Sequence, residues 1–389
     1  MTLHIMLVAG EPSGDALGAP LMAALRELAG GDIRFSGVGG ERMVGQGLTS
    51  LYPMAEMSVM GIIEIVPRLP ALRRRLLQVE AHARATRPDA VVTIDSPAFN
   101  FRLGKRLKGA GLPLIHYVAP TVWAWRAGRA RMVSRFLDHL LTVLPFEPPY
   151  FEREGLRTTF VGHPVVASGA EQADGAAFRA RHGIPAEAPL LAMLPGSRHS
   201  ETGRLLPPFG EALGLLRQRF RDLRVVVPTV ETVADTVAAA ARAWPVPALV
   251  LPDLAEKFPA MAAANAALAA SGTVALELAM TDTPMVIAYR VSAFSAAVAR
   301  RMIKVPYVNL VNLIVDRPAV PELLQDDCTA PRLAQAVTEI LVDPAARAAQ
   351  STASRAALAA LGLGGPPPSR RAAEAVLETI GLQTIGRRA

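Results

Sequence analysis

The chain has 389 residues, more than a single hydrophobic core usually serves, so two domains are expected. Its apolar fraction of 51% excludes a disordered chain, and no run is long and apolar enough to span a bilayer. Lys and Arg outnumber Asp and Glu by 41 to 34, a balance of +7 that suits anionic partners, and the single Cys328 excludes an internal disulfide.

The first apolar run, 3–9, lacks the basic flank and cleavage pattern of a signal peptide and reads as a buried strand. With the lone cysteine, it points to a cytoplasmic protein. The run ends in AGEPSGD (9–15), a glycine-rich turn into a helical pattern at 16–28, with Ser13 placed to cap it. Its spacing matches neither the dinucleotide fingerprint nor a P-loop, which disfavours NAD. Glu11 or Asp15 could meet sugar hydroxyls there, although an ordinary strand-to-helix turn would look the same. A second strand, 33–38, ends in GVGG (37–40) with the same ambiguity.

In VMGIIEIVPRLPALRRRLL (59–77), Met60, Ile62 and Ile63 are interleaved with Arg68, Arg73, Arg74 and Arg75. Such a segment can lie among anionic headgroups with its apolar residues inserted, or be a plain amphipathic helix continuing over 72–86. Strand 90–94 then delivers Asp95 in IDSPAFN. A carboxylate at a strand's C-terminal end stands where a general base should, and equally where turns favour Asp. His116 sits in the next strand, 114–118, and Trp123 and Trp125 follow in HYVAPTVWAW (116–125). Clustered aromatics make a shaped wall for a sugar or acyl chain, or pack a core. Two further runs, 140–144 and 159–161, close the first series.

After a link at 165–171 the alternation restarts with strands 190–194, 224–227, 248–251, 267–270 and 285–289, and helical patterns at 205–220, 274–280 and 331–341. Strand–helix alternation implies parallel sheets covered on both faces. Two Rossmann-like α/β domains facing across a cleft are expected, 1–165 and 166–342, followed by a helical tail, 343–389, interrupted at GGPPP (364–368).

The most informative stretch is LLAMLPGSRHSE (190–201). An apolar strand runs through Pro195-Gly196-Ser197-Arg198 into an acid-started helix, whose first amides favour an anion. Arg198 adds a planar fork matched to phosphate oxygens. ASGTVALE (270–277) is a second turn of this kind, with Ser271, Gly272 and Thr273, and Glu277 one turn on could take both hydroxyls of a ribose. No Asp-x-Asp pair, Cys/His cluster or nucleophile elbow is present, so neither a metal nor a cofactor is expected.

Together AGEPSGD, GVGG, VMGIIE, IDSPAFNFRL (94–103), HYVAPTVWAW, LPFE (144–147), FVGHP (160–164), LPGSR (194–198) and ASGTVALE resemble the lipid-A-disaccharide synthases, glycosyltransferases of family 19 with the two-domain GT-B fold. The resemblance spans nearly the whole chain, and HYVAPTVWAW with AGEPSGD is its most specific part. It implies an inverting transfer from UDP-2,3-diacylglucosamine to 2,3-diacylglucosamine 1-phosphate, giving a β-1,6 disaccharide 1-phosphate and UDP at the cytoplasmic face of the inner membrane, without metal. Asp95 takes the position of the base. Ser197, Arg198, Ser271, Gly272, Thr273 and Glu277 take the donor site, with Asn309 and Asn312 of VPYVNLVNL (305–313). Glu11, Ser13 and His116 are left to the acceptor side, and a homodimer remains open. A UDP-N-acetylglucosamine 2-epimerase shares the fold but leaves HYVAPTVWAW and segment 59–75 unexplained. A nucleic-acid-binding protein has only the charge in its favour, since the arginines form no recognised module.

Overall fold

The computed structural model describes residues 2–57, 62–124, 128–292 and 305–382, and for 62–68 the backbone alone. Two compact units emerge: residues up to Pro164 with those from Gly364 onward, and Val165–Leu363.

The first unit is built on a seven-stranded parallel sheet. Its strands are β1 (Leu3–Ala9), β2 (Ile33–Val38), β3 (Leu48–Ser50), β4 (Ala90–Ile94), β5 (Leu114–Tyr117), β6 (His139–Thr142) and β7 (Arg157–Phe160), ordered β3-β2-β1-β4-β5-β6-β7. The second unit carries β8 (Leu190–Leu194), β9 (Arg224–Pro228), β10 (Ala248–Leu251), β11 (Ala266–Ala270), β12 (Met285–Tyr289) and β13 (Glu322–Leu324), all parallel and ordered β10-β9-β8-β11-β12-β13. The central strands β4, β8 and β11 are buried at every position, as strands covered on both faces must be. Helix residues such as Leu103 and Leu107 and strand residues such as Met6, Val8 and Val91 fill the first core, with Leu191, Met193, Phe209 and Leu268 in the second.

The two short edge strands β3 and β13 were not expected from the sequence, because three residues are too few to display a period. The helix after β8 runs His199–Arg219, passing through Pro207 and Pro208, rather than starting at 205. Its N-terminus therefore abuts the Pro195–Arg198 turn directly.

The expected single tail is split between units. Helix Pro344–Ala360, capped by Asp343 on the Ala345 amide, packs on helices Val274–Met280 and Leu310–Val315 of the second unit. Helix Pro368–Thr379 lies on helix Pro12–Leu28 of the first unit. There Thr379 Oγ1 meets His139 Nδ1 at 2.7 Å, and Arg371 donates to the Phe160 carbonyl at 2.8 Å.

In both sheets the strand order reverses once: between β1 and β4 in the first, and between β8 and β11 in the second. Helices leave the two strands flanking such a switch point on opposite faces, which opens a crevice beyond their C-terminal ends.

Candidate functional site

At the β1/β4 switch point stand the AGEPSGD turn and Asp95. Helix Pro12–Leu28 starts with Glu11 as N-cap and Pro12 in its first turn, so Ser13 is inside the helix and does not cap it. The Ser13 hydroxyl instead donates to Asp95 Oδ2 at 3.0 Å. Glu11 is exposed at the same end. Asp15 is not available to a sugar: it is buried, and its carboxylate accepts the amides of Gly40, Arg42 and Met43 at 2.8, 3.1 and 3.0 Å. AGEPSGD and GVGG are thus two halves of one internal cap. A Cβ on Gly40 would fall 2.6 Å from Asp15 Oδ2, which is why glycine stands there.

Asp95 and Ser96 both have positive φ, 50° and 45°. Two such non-glycine residues in a row store strain of about 1–3 kcal/mol each. Asn100 holds the turn: it is 1% exposed, and its Nδ2 donates to the carbonyls of Asp95, Ile94 and Val8 at 2.8, 3.2 and 3.3 Å. It thereby ties the ends of β1 and β4 together beneath the Asp95 carboxylate. Gly10 completes the seat, since a Cβ there would lie 2.7 Å from Ser96 Oγ. Asn100 was not singled out in the sequence, although its place five residues after Asp95 was visible.

His116, expected on the acceptor side, is buried within its strand. The residue is 1% exposed, with Nδ1 2.7 Å from Thr93 Oγ1 and its ring centroid 4.9 Å from that of Phe101 in an edge-on arrangement. Burial pushes its pKa down to about 3, so it is a neutral core histidine. Trp123 stands half-buried, edge-on to Phe146, and its indole N–H donates to Glu147 Oε1 at 3.3 Å. Glu147 is 2% exposed and accepts the Leu144 amide at 3.0 Å. Desolvation pushes its pKa up to about 7, against those stabilising donors. Trp125 lies outside the described residues.

At the β8/β11 switch point a cavity of about 370 Å³ is lined by Ser197, Arg198, Ser271, Gly272, Thr273 and Glu277, with Gly196, Glu201, Thr229 and Lys257 among its other walls. Gly196 has φ 109°, and a Cβ there would meet Glu201 Oε2 at 2.5 Å. Glu201 accepts the Ser197 amide and Arg198 Nη1, each at 3.0 Å. The side chain of Glu201 is 17% exposed and that of Arg198 67%. A carboxylate of the protein therefore rests on two of the donors at the turn where the sequence leads one to expect a phosphate. Gly272 has φ 157° with nothing within 4 Å of an added Cβ, so backbone conformation and not crowding selects glycine. Glu277 lines the cavity but is paired, its oxygens 2.7 and 2.6 Å from Lys257 Nζ.

Asn309 and Asn312 are absent from this lining. Both are buried, at 0% and 1% exposure. Asn309 caps helix Leu310–Val315 through the Val311 amide, while Asn312 donates to the Val320 carbonyl and to Glu322 Oε1, both at 2.8 Å. Glu322 also accepts the amides of Val308 and Asn309 at 3.0 Å. The link to the cavity is indirect: Ser271 Oγ donates to the Val308 carbonyl at 3.1 Å. Glu322, Thr229 and Lys257 had no sequence signal, because each sits in no recognisable turn motif.

A hollow of about 470 Å³ lies elsewhere in the second unit, lined by Ala336, Ala346, Ala349 and Gln350 among others, and it lacks the paired donor turns. In the segment expected to face a membrane, Arg73 and Arg74 are exposed. Arg75 is committed inward, donating to both Glu56 oxygens at 2.8 and 2.7 Å and lying 4.6 Å over the Tyr52 ring. Met60 and the side chains of Ile62 and Ile63 lie outside the described residues. Among those residues, no helix is long and apolar enough to cross a membrane.

A family model described as lipid-A-disaccharide synthetase matches residues 5–372. The chain is 58% identical over 388 residues to the lipid-A-disaccharide synthase of Rhodospirillum centenum, covering 99% of this chain and 97% of that one. It is 56% identical to the corresponding synthase of Paramagnetospirillum magneticum, covering 97% of each. Among solved structures it is similar to the S. aureus MnaA–UDP complex, with a TM-score of 0.66 at 15% identity over 98% of both chains. It is likewise similar to Acinetobacter baumannii MurG, with a TM-score of 0.58 at 14% identity over 97% of this chain and 99% of that one. At such identities these two likenesses speak for the fold alone.

Proposed function

The chain belongs to the lipid-A-disaccharide synthase family, and from that premise we propose that UDP-2,3-diacylglucosamine is its donor and 2,3-diacylglucosamine 1-phosphate its acceptor. The reaction forms the bond from the acceptor O6 to the donor C1 and breaks the bond from C1 to the diphosphate oxygen. The O6 proton passes to Asp95, and the bonding electron pair leaves with UDP. Inversion follows because O6 attacks opposite the departing group, giving the β-1,6 linkage.

The observation that carries this reading is the second unit's cavity, where two turns and Arg198 converge at the β8/β11 switch point. Amides and a guanidinium offset the charge that grows on the leaving diphosphate. Binding there exchanges the Glu201 carboxylate for phosphate at Arg198 and Ser197. Glu277, steadied by Lys257, is assigned to the ribose hydroxyls. Asp95 is assigned as base, with Ser13 fixing Oδ2 so that Oδ1 is presented to the proton. A carboxylate is a weak base, which suffices when C–O cleavage runs ahead of proton removal. Glu11 stays on the acceptor side.

The protein is further assigned to the cytoplasmic face of the inner membrane as a peripheral protein. The support is the composition of segment 59–75 and the exposure of Arg73 and Arg74. The test of the activity is mass spectrometry of products from the two diacylated sugars. A tetraacyl disaccharide 1-phosphate with stoichiometric UDP is expected. Conversion of UDP-N-acetylglucosamine alone, with no disaccharide, would instead make the protein an epimerase.

A further inference from the structure

The cavity at the β8/β11 switch point has two chemically different ends. One carries the amide-rich turns and Arg198. The other is formed where β9 ends, on the side of β8 away from β11, by Thr229 and Val230 together with Leu254 from the loop after β10. None of these three side chains is charged. Leu254 is 63% exposed, a large apolar group held at the mouth of a polar cavity. The Lys257–Glu277 pair also lines this cavity.

Thr229 is the telling residue. Its amide donates to the Leu251 carbonyl at 2.9 Å, which fixes its backbone between β9 and β10. Its side chain is nine-tenths buried, yet Oγ1 has no hydrogen-bond partner. A buried hydroxyl without a partner is costly, and one on a residue that lines a cavity can take its partner from a bound group. The group that fits this end is flat and uncharged, covers an apolar side chain and offers polar atoms along one edge. A pyrimidine base has that form.

We propose that Thr229 is a specificity-determining residue that hydrogen-bonds the edge of the donor's uracil, with Val230 and Leu254 against the ring. The proposal rests on the reading that the diphosphate occupies the Ser197–Arg198 and Ser271–Thr273 end. A hydroxyl both donates and accepts, so it can serve either the ring N–H or a ring carbonyl.

Calorimetry on the full chain with UDP and with ribose 5-diphosphate, which lacks the base, tests it. Thr229→Val keeps the shape and removes the hydroxyl. It should weaken UDP about fivefold, the loss of one neutral hydrogen bond, and leave ribose 5-diphosphate unchanged. Thr229→Ser should restore UDP affinity to within about twofold, the methyl being the lesser part. Arg198→Ala should weaken both probes. If Thr229→Val spares UDP, or weakens both probes equally, while Arg198→Ala weakens both, the Thr229 assignment is overturned alone. If Arg198→Ala weakens neither, the diphosphate placement is overturned and the assignment with it.

Discussion

Replacing Glu147 by glutamine should flatten the pH dependence of the first unit's stability. The carboxyl ordinarily ionises at 4.5, and burial beside Trp123 raises this to about 7 in the folded protein. Between those two values the folded state keeps a proton that the unfolded chain has released. Stability is therefore lost as pH rises through this window, the opposite of a salt-bridged carboxylate. From about pH 5 to about pH 8.5 the difference in ionisation removes about 2.5 kcal/mol. Glutamine cannot ionise, so it lacks this loss, and all other titrations cancel when variant and wild type are compared. Urea denaturation at the two pH values should thus show the variant gaining about 2.5 kcal/mol on the wild type from the lower to the higher. The wild-type Trp123 indole N–H, which donates to this carboxyl, should titrate with a midpoint near 7 in NMR spectra. Parallel stability curves for variant and wild type, or an indole resonance indifferent to pH, would refute the reasoning.

Asp95→Asn should lower turnover by about 10²–10⁴-fold while UDP affinity by calorimetry stays within error, because the residue is assigned to the proton and not to the nucleotide. Near-normal turnover would remove Asp95 as the base. Gly37→Ala should cost about 3 kcal/mol or more. Gly37 has φ 134°, and an added Cβ would fall 1.9 Å from the Leu7 carbonyl oxygen on the paired strand. Thermal melting unchanged within a degree or so would contradict that geometry. Arg73→Glu combined with Arg74→Glu should reduce flotation with anionic vesicles by at least tenfold, at about 1 kcal/mol per basic residue near such a surface. Equal flotation would place the membrane contact elsewhere.

Much of the fold is legible along the chain. The strands at 3–9, 33–38, 90–94, 190–194, 248–251 and 285–289 stand where apolar runs place them, because strands of a parallel sheet covered on both faces are rich in apolar residues. The same property hides which face each side chain takes. His116 lies in a run buried on both faces, so alternation could not tell a ring packed on Phe101 from one aimed at a ligand. Asp15 looked available because its three partners, Gly40, Arg42 and Met43, follow a different strand. Asn309 and Asn312 looked like ligand contacts until Glu322, in a three-residue edge strand without a pattern, was found holding that loop.

What the linear sequence determined is local chemistry: turns after strands that need glycine, a carboxylate at one of them, a guanidinium at another, and helices that begin where those turns end. These depend on neighbours a few residues apart. Only tertiary structure decided which turns share a switch point, since strand order arises from pairing between segments some 80 residues apart in β1 with β4 and in β8 with β11. That pairing sets Ser13 on Asp95 and puts Arg198 in one cavity with Gly272, and it uses up Asp15 and Asn312 in holding the frame. The hydrogen bonds and close contacts responsible are non-local, so no spacing along the chain announces them.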